Sequence, residues 1–140
     1  MAQARILAAA LLAAMASPAT FAEEAGDGRA LYETECAYCH FSAELPLAGR
    51  RDPGARLVPV MMATYGPRLA GIVGRAAGAD PAFNYSESFV AETRGLVWTA
   101  PNLDRLMTDA RAMIPGVRMF YRQPDANIRR KILAYLETAG

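Results

Sequence analysis

Both cysteines and the only histidine of this chain fall within five consecutive positions, Cys36-Ala37-Tyr38-Cys39-His40. Two thiols three positions apart share one face of a helix, and the imidazole follows directly. That arrangement suits covalent attachment of a c-type haem. Each sulfur adds to a vinyl group of the porphyrin, and the adjacent imidazole reaches the iron from the same side. Other chemistries use parts of the same segment. A redox dithiol needs only Cys-x-x-Cys, normally in a strand–helix setting, and leaves His40 unexplained. A structural zinc needs four ligands, and Cys36, Cys39 and His40 are the obvious candidates. A disulfide closing so short a loop is a strained staple. Haem is the reading that uses every cysteine and histidine available.

The length of 140 residues predicts one small domain. Part of the 53% apolar content belongs to the N-terminal segment. There Arg5 precedes the apolar run Ile6–Met15, and small residues lead to Ala22. This is the three-part pattern of a secretory signal, so residues 1–22 are expected to be cleaved about Ala22, leaving a domain over 23–140. No later stretch is apolar for long enough to span a bilayer. Losing Arg5 leaves fourteen basic and fourteen acidic side chains, thirteen of the basic ones arginine and the other Lys131. A nucleic-acid-binding surface is not expected from that balance.

Gly28 to Cys39 reads as a helix, with Asp27 as its cap and Leu31, Tyr32, Cys36 and Cys39 at helical spacing. From Phe41 to Tyr65, prolines, glycines and the charged Arg50-Arg51-Asp52 break the pattern, and residues 41–65 read as a long inserted loop. Gly66 to Arg75 holds three glycines, which permit close approach of backbone to something bulky. Ser86 and Gly95 bound one short helix reaching about Arg94. Thr99 caps a second, Ala100 to Thr108, with Leu103, Leu106 and Met107 inward. Met113 to Tyr121 reads as a tight turn around Pro115-Gly116. Pro124 opens a final helix to about Thr138, with Ile128, Ile132, Tyr135 and Leu136 as a core stripe. The fold class is all-α, with little regular structure for a chain this size. A planar apolar cofactor would supply the missing centre.

These stretches, in this order and spacing, resemble the class I cytochromes c, the small monohaem carriers. The resemblance runs from about Gly28 to Leu136. Gly66-Pro67-Arg68-Leu69 through Gly74-Arg75 is similar to the family loop in which the proline carbonyl accepts the Nδ1–H of the proximal histidine and the arginine lies near a propionate. Phe83-Asn84-Tyr85 and Trp98 match the aromatic positions that bind the buried propionate, and Ile114-Pro115-Gly116 through Met119 matches the loop presenting the axial methionine. Gly28, Tyr32 and Tyr135 correspond to the crossing of the terminal helices. The sequence departs from the family in three ways. The segment between His40 and Pro67 is longer; Leu106 and Val117 stand where polar contacts to the iron site are usual; the docking lysines are absent.

The resemblance implies one covalent haem c through Cys36 and Cys39, with His40 and Met119 as axial ligands. It places Pro67, Arg75, Tyr85 and Trp98 in the haem pocket. Of the other methionines, Met1 and Met15 leave with the signal, Met61 and Met62 lie in the insertion, and Met107 and Met113 read as packing. The expected function is one-electron transfer, not catalysis, by a monomer in the periplasm, where the family's haem is attached. Its partners are redox proteins: a dehydrogenase, an oxidase or a reductase. The alternatives are a cytochrome subunit bound to a dehydrogenase, and a haem sensor or enzyme with an open iron site.

Overall fold

The computed structural model describes residues 18–40 and 65–139. Almost all of the insertion, 41–64, therefore lies outside the described residues, as does most of the expected signal. Among the described residues five helices follow one another: α1 (Pro18–Glu35), α2 (Glu87–Glu92), α3 (Ala100–Thr108), α4 (Ala110–Met113) and α5 (Ala126–Thr138). Among the described residues there is no strand, only the isolated antiparallel bridge between Ala76 and Val97. The all-α expectation holds.

The frame is the crossing of α1 and α5. A Cβ on Gly28 would stand 1.9 Å from the Lys131 carbonyl oxygen and 2.9 Å from Cβ of Tyr135, so only glycine lets the two backbones meet. One turn on, Tyr32, 1% exposed, lays its ring 5.4 Å from that of Tyr135. Ile132 and Leu136 are buried beneath them, and each such side chain contributes roughly 2 kcal/mol of apolar burial. Ion pairs Glu24–Arg130 (3.1 Å) and Asp27–Lys131 (2.7 Å) fence the rim.

Both ends of the first helix differ from the sequence reading. The first helix begins ten positions before Gly28, because Ala22-Glu23-Glu24-Ala25 are good helix formers and Asp27 pairs with Lys131 instead of capping. It also ends at Glu35, before the cysteines. The amides of Cys36 and Ala37 both donate to the Tyr32 carbonyl, at 2.9 Å each, which widens the last turn and ends the ladder. The five-residue motif thus sits in the turn after α1, not in the helix.

The remaining helices are short and individually capped. Ser86, Thr99, Asp109 and Asp125 accept from the amides of Phe89, Asn102, Ala112 and Asn127, each cap contributing about 1 kcal/mol. Helix α2 stops at Glu92, just short of the expected Arg94. The α3 bounds match the expectation, with Leu103 and Met107 buried and Leu106 half-buried. The single turn α4 was not expected, and α5 starts at Ala126 behind its Asp125 cap, past Pro124. Arg129, 9% exposed, ties α5 to α3 through Asp104 (2.8 Å) and to the carbonyls of Gln123 (2.8 Å) and Pro124 (3.0 Å). Between α1 and α2 the chain runs irregularly from Tyr65 to Ser86, and that loop faces the motif.

Candidate haem site

The motif turn is held from both sides. The His40 amide donates to the Cys36 carbonyl at 2.9 Å, and the buried Tyr32 hydroxyl donates to the His40 carbonyl at 2.9 Å. The His40 imidazole has its Nδ1 2.8 Å from the carbonyl oxygen of Pro67. Since a carbonyl can only accept, Nδ1 carries the proton and Nε2 keeps its lone pair for a metal. Burial pushes the imidazole pKa down, and the Pro67 carbonyl works against that shift. Neither thiol is in a disulfide: Cys39 is exposed and Cys36 is half-buried. Burial, then the charges of Glu35 and Cys39, push the Cys36 thiol up to about 12.

Gly66 makes the Pro67 contact possible. A Cβ there would lie 2.6 Å from both Cε1 and Nδ1 of His40, so the something bulky that glycine accommodates is the histidine ring itself. Beyond Pro67 the loop is clamped by Asp80, 3% exposed. Its carboxylate accepts from the Arg68 amide (2.9 Å), from Nε and Nη2 of Arg68 (3.2 and 3.0 Å) and from the Ala82 amide (3.0 Å). The Arg68 guanidinium, followed by those amides, holds the Asp80 carboxyl down at about 2 against a burial effect of opposite sign. Arg75 reaches back to the carbonyls of Ala70 (3.2 Å) and Arg68. The next stretch is tied to the segment before α3 by Gly74 N–H to Trp98 O and Trp98 N–H to Arg75 O, both 2.9 Å.

Tyr85 is half-buried, stacked on Phe89 (centroids 5.1 Å, 18°) and met edge-on by Phe83 (4.9 Å, 74°). Trp98 is 5% exposed, and its indole N–H has no hydrogen-bond partner among the described residues. Met119 is half-buried against the core, after the Pro115-Gly116 turn in which Gly116 takes φ 78°. Two residues on, the Tyr121 hydroxyl donates to Oε2 of Glu35 at 3.1 Å. That bond joins the Met119 segment to the residue directly before Cys36. Burial, then the neighbouring Cys36 and Glu35, push the Tyr121 phenol up.

No family model matches the chain. Curated relatives do. A cytochrome c2 of Rhodopila globiformis is 35% identical over 113 residues, 80% of this chain and 90% of its own length. A cytochrome c2 iso-1 of Rhodospirillum centenum is 32% identical over 98 residues, covering 59% and 82%. A cytochrome c type-1 of Ascaris suum is 29% identical over 111 residues, covering 79% and 83%.

The chain belongs to the class I cytochromes c. It carries one covalent c-type haem and is an electron carrier.

As a cytochrome c, the protein has residues that fit the cofactor. Two unpaired thiols flank a turn that delivers an imidazole with Nε2 uncommitted, and a buried indole donor waits for an acceptor such as a propionate. Arg75 spends donors on loop carbonyls, which makes it a brace of the loop beside whatever it offers a propionate. Sequence reasoning missed Asp80, Glu35 and Tyr121. An Asp-Pro step whose carboxylate accepts from the residue after proline is an Asx-turn signal that marks Asp80 in retrospect. Glu35 reads as a solvated acid until Tyr121 arrives from 86 positions away.

Proposed function

We propose that Cys36 and Cys39 hold the haem through thioethers, with His40 Nε2 and the Met119 sulfur as axial ligands. We propose further that the mature chain, freed of residues 1–22, is a periplasmic monomer that passes electrons between redox partner proteins. The haem, when bound, supplies one-electron exchange between ferric and ferrous iron. The protein's part is to keep both ligands in place across that exchange. Pro67 does so on the histidine side, and its 2.8 Å contact with Nδ1 is the observation that carries the reading.

The methionine assignment is supported by where its rivals lie. Met107, 6% exposed, is core filling. Met113 lines a shallow surface cavity with Arg105, Thr108, Asp109 and Ala112. Met61 and Met62 are outside the described residues. Trp98 and Tyr85 are the proposed propionate donors, with Arg75 beside them. Periplasmic placement rests on the leader pattern, and no described helix is long and apolar enough to cross a membrane.

Met119→Ala is expected to abolish the sulfur-to-iron charge-transfer band of the ferric protein, admit carbon monoxide to the ferrous form and lower the potential. Met113→Ala should do none of these. Ready binding of carbon monoxide by the unmutated protein would overturn the closed, carrier-type site. N-terminal sequencing of the exported protein tests the cleavage, and co-elution with a dehydrogenase would favour the bound-subunit alternative.

A further inference from the structure

The Pro67 carbonyl that accepts from His40 and the Arg68 amide that donates to Asp80 belong to the same peptide group. We propose that Asp80 tunes the axial histidine through this single peptide unit, which makes it a positioning and tuning residue for electron transfer. The inference rests on His40 being an iron ligand.

The geometry is a chain of two hydrogen bonds in series. His40 Nδ1–H donates to Pro67 O at 2.8 Å, and Arg68 N–H donates to Asp80 Oδ2 at 2.9 Å. No peptide bond among the described residues is cis, so the C=O and N–H of this unit point in opposite directions and their dipoles add. A carboxylate pulling on the N–H end shifts electron density onto the carbonyl oxygen, which then becomes a stronger acceptor for the imidazole N–H. The imidazole becomes more electron-rich at Nε2, and a more basic ligand favours ferric over ferrous iron. Asp80 therefore lowers the potential relative to the same fold with a neutral residue there.

Burial strengthens the coupling. Asp80 is 3% exposed, and a hydrogen bond in a low-dielectric setting is polarised more than one in water. The carboxyl, held at about 2, is ionised across the neutral range. Arg68 sets the size of the effect, because its guanidinium shares the same carboxylate through Nε and Nη2. It drains charge that would otherwise act on the peptide N–H. The other face of the Arg68 residue is fixed as well, its carbonyl accepting from Arg75. The Pro67–Arg68 plane itself is tied at both ends, by His40 on its carbonyl and by Asp80 on its N–H, and the Arg75 contact fixes the peptide that follows it.

Opposite signs separate this coupling from simple bracing of the loop. In holoprotein, Asp80→Asn should raise the midpoint potential and move the His40 Nδ1–H proton resonance of the ferrous protein upfield, since a neutral amide oxygen pulls less on the peptide. Arg68→Ala keeps its main-chain N–H and frees the carboxylate to act on it. It should lower the potential and move the same resonance downfield. Both variants lose contacts and should unfold at lower urea, which a merely structural role would translate into changes of one sign. Should Asp80→Asn yield no holoprotein, Arg68→Ala decides alone. A downfield resonance with lowered potential supports the coupling; an upfield or unmoved resonance overturns it. A potential that changes in Asp80→Asn while the Nδ1–H resonance stays fixed also overturns it, reducing Asp80 to a through-space charge. Failure of the ligand reading looks different: the ferric wild type would lack the strongly shifted ring resonances of an iron-bound His40, and the inference would fall with it.

Discussion

His40 and Met119, the two proposed ligands, are approached by backbones of different character. On the histidine side the local bond from the His40 amide to Cys36 (2.9 Å) is joined by ties from farther along the chain: the Tyr32 hydroxyl to the His40 carbonyl (2.9 Å), His40 Nδ1 to Pro67 (2.8 Å), the Arg68 amide to Asp80 (2.9 Å) and the Gly74 amide to Trp98 (2.9 Å). On the methionine side the bonds are mostly local, from Ile114 to Ala110 (2.9 Å) and from Val117 to Ile114 (3.1 Å). Among the described residues the amides of Arg118, Met119 and Phe120 donate to no main-chain carbonyl, and the segment is next caught by Ala110 to Tyr121 (3.3 Å) and Gln123 to Met107 (2.8 Å). Local opening follows the density of such ties. The segment around Met119 is therefore expected to open before the one around His40.

A pair of glycines tests that contrast at its largest. Gly66→Ala drives a Cβ to 2.6 Å from the His40 ring, and overpacking plus a lost buried hydrogen bond should cost about 3 kcal/mol or more. Haem content and the urea midpoint report it. Gly116→Ala places its Cβ in ordinary contact, 3.6 Å from Ser88 Oγ, and should cost only the strain of φ 78°, about 1 kcal/mol. A costlier Gly116 variant would invert the comparison.

Acid should weaken the histidine side next. Asp80 has its folded pKa depressed to about 2 from 3.8, so its contribution is complete above the higher value and disappears as pH falls through the lower one. The loss is about 2 kcal/mol across that window. Arg68 stays charged throughout, and Tyr85, whose pKa burial raises, stays neutral, so the carboxylate alone titrates there. Urea melts of wild type and Asp80→Asn from mild to strong acid should converge. If the gap persists unchanged, the clamp is not what fails.

The smallest expected effect sharpens the methionine side. Tyr121→Phe removes the bond to Glu35 and should cost about 1 kcal/mol. It should show as loss of the ferric charge-transfer band at lower denaturant, with the His40 resonances unmoved. Equal loosening of both sides would mean the two regions open as one.

These contrasts also mark what the sequence could reveal. Helix α3 was legible to the residue because Thr99 and Pro101 are start signals and Leu103 and Met107 carry the helical period. The motif was legible from its own three residues, and the Pro67 contact through a resemblance built on order and spacing. Helix α4 was not, since four residues give one turn and no period. The Asp80 clamp was hidden for a different reason: its partner Arg68 lies twelve positions away in a loop with no repeat to announce which charges meet. The end of α1 was misread because Cys36 and Cys39 keep helical spacing in a segment whose hydrogen bonds have already left the helix.

The glycine at the helix crossing also sets a timetable. Asp27 and Lys131, which flank it, are 104 positions apart, so α1 has no surface to bury Gly28 and Tyr32 against until α5 docks. For that whole interval the two sulfurs belong to a strand of chain with no finished interior beside it. Covalent capture of the cofactor can then come first and final closure last, with the late-arriving helix sealing a molecule whose colour is already fixed.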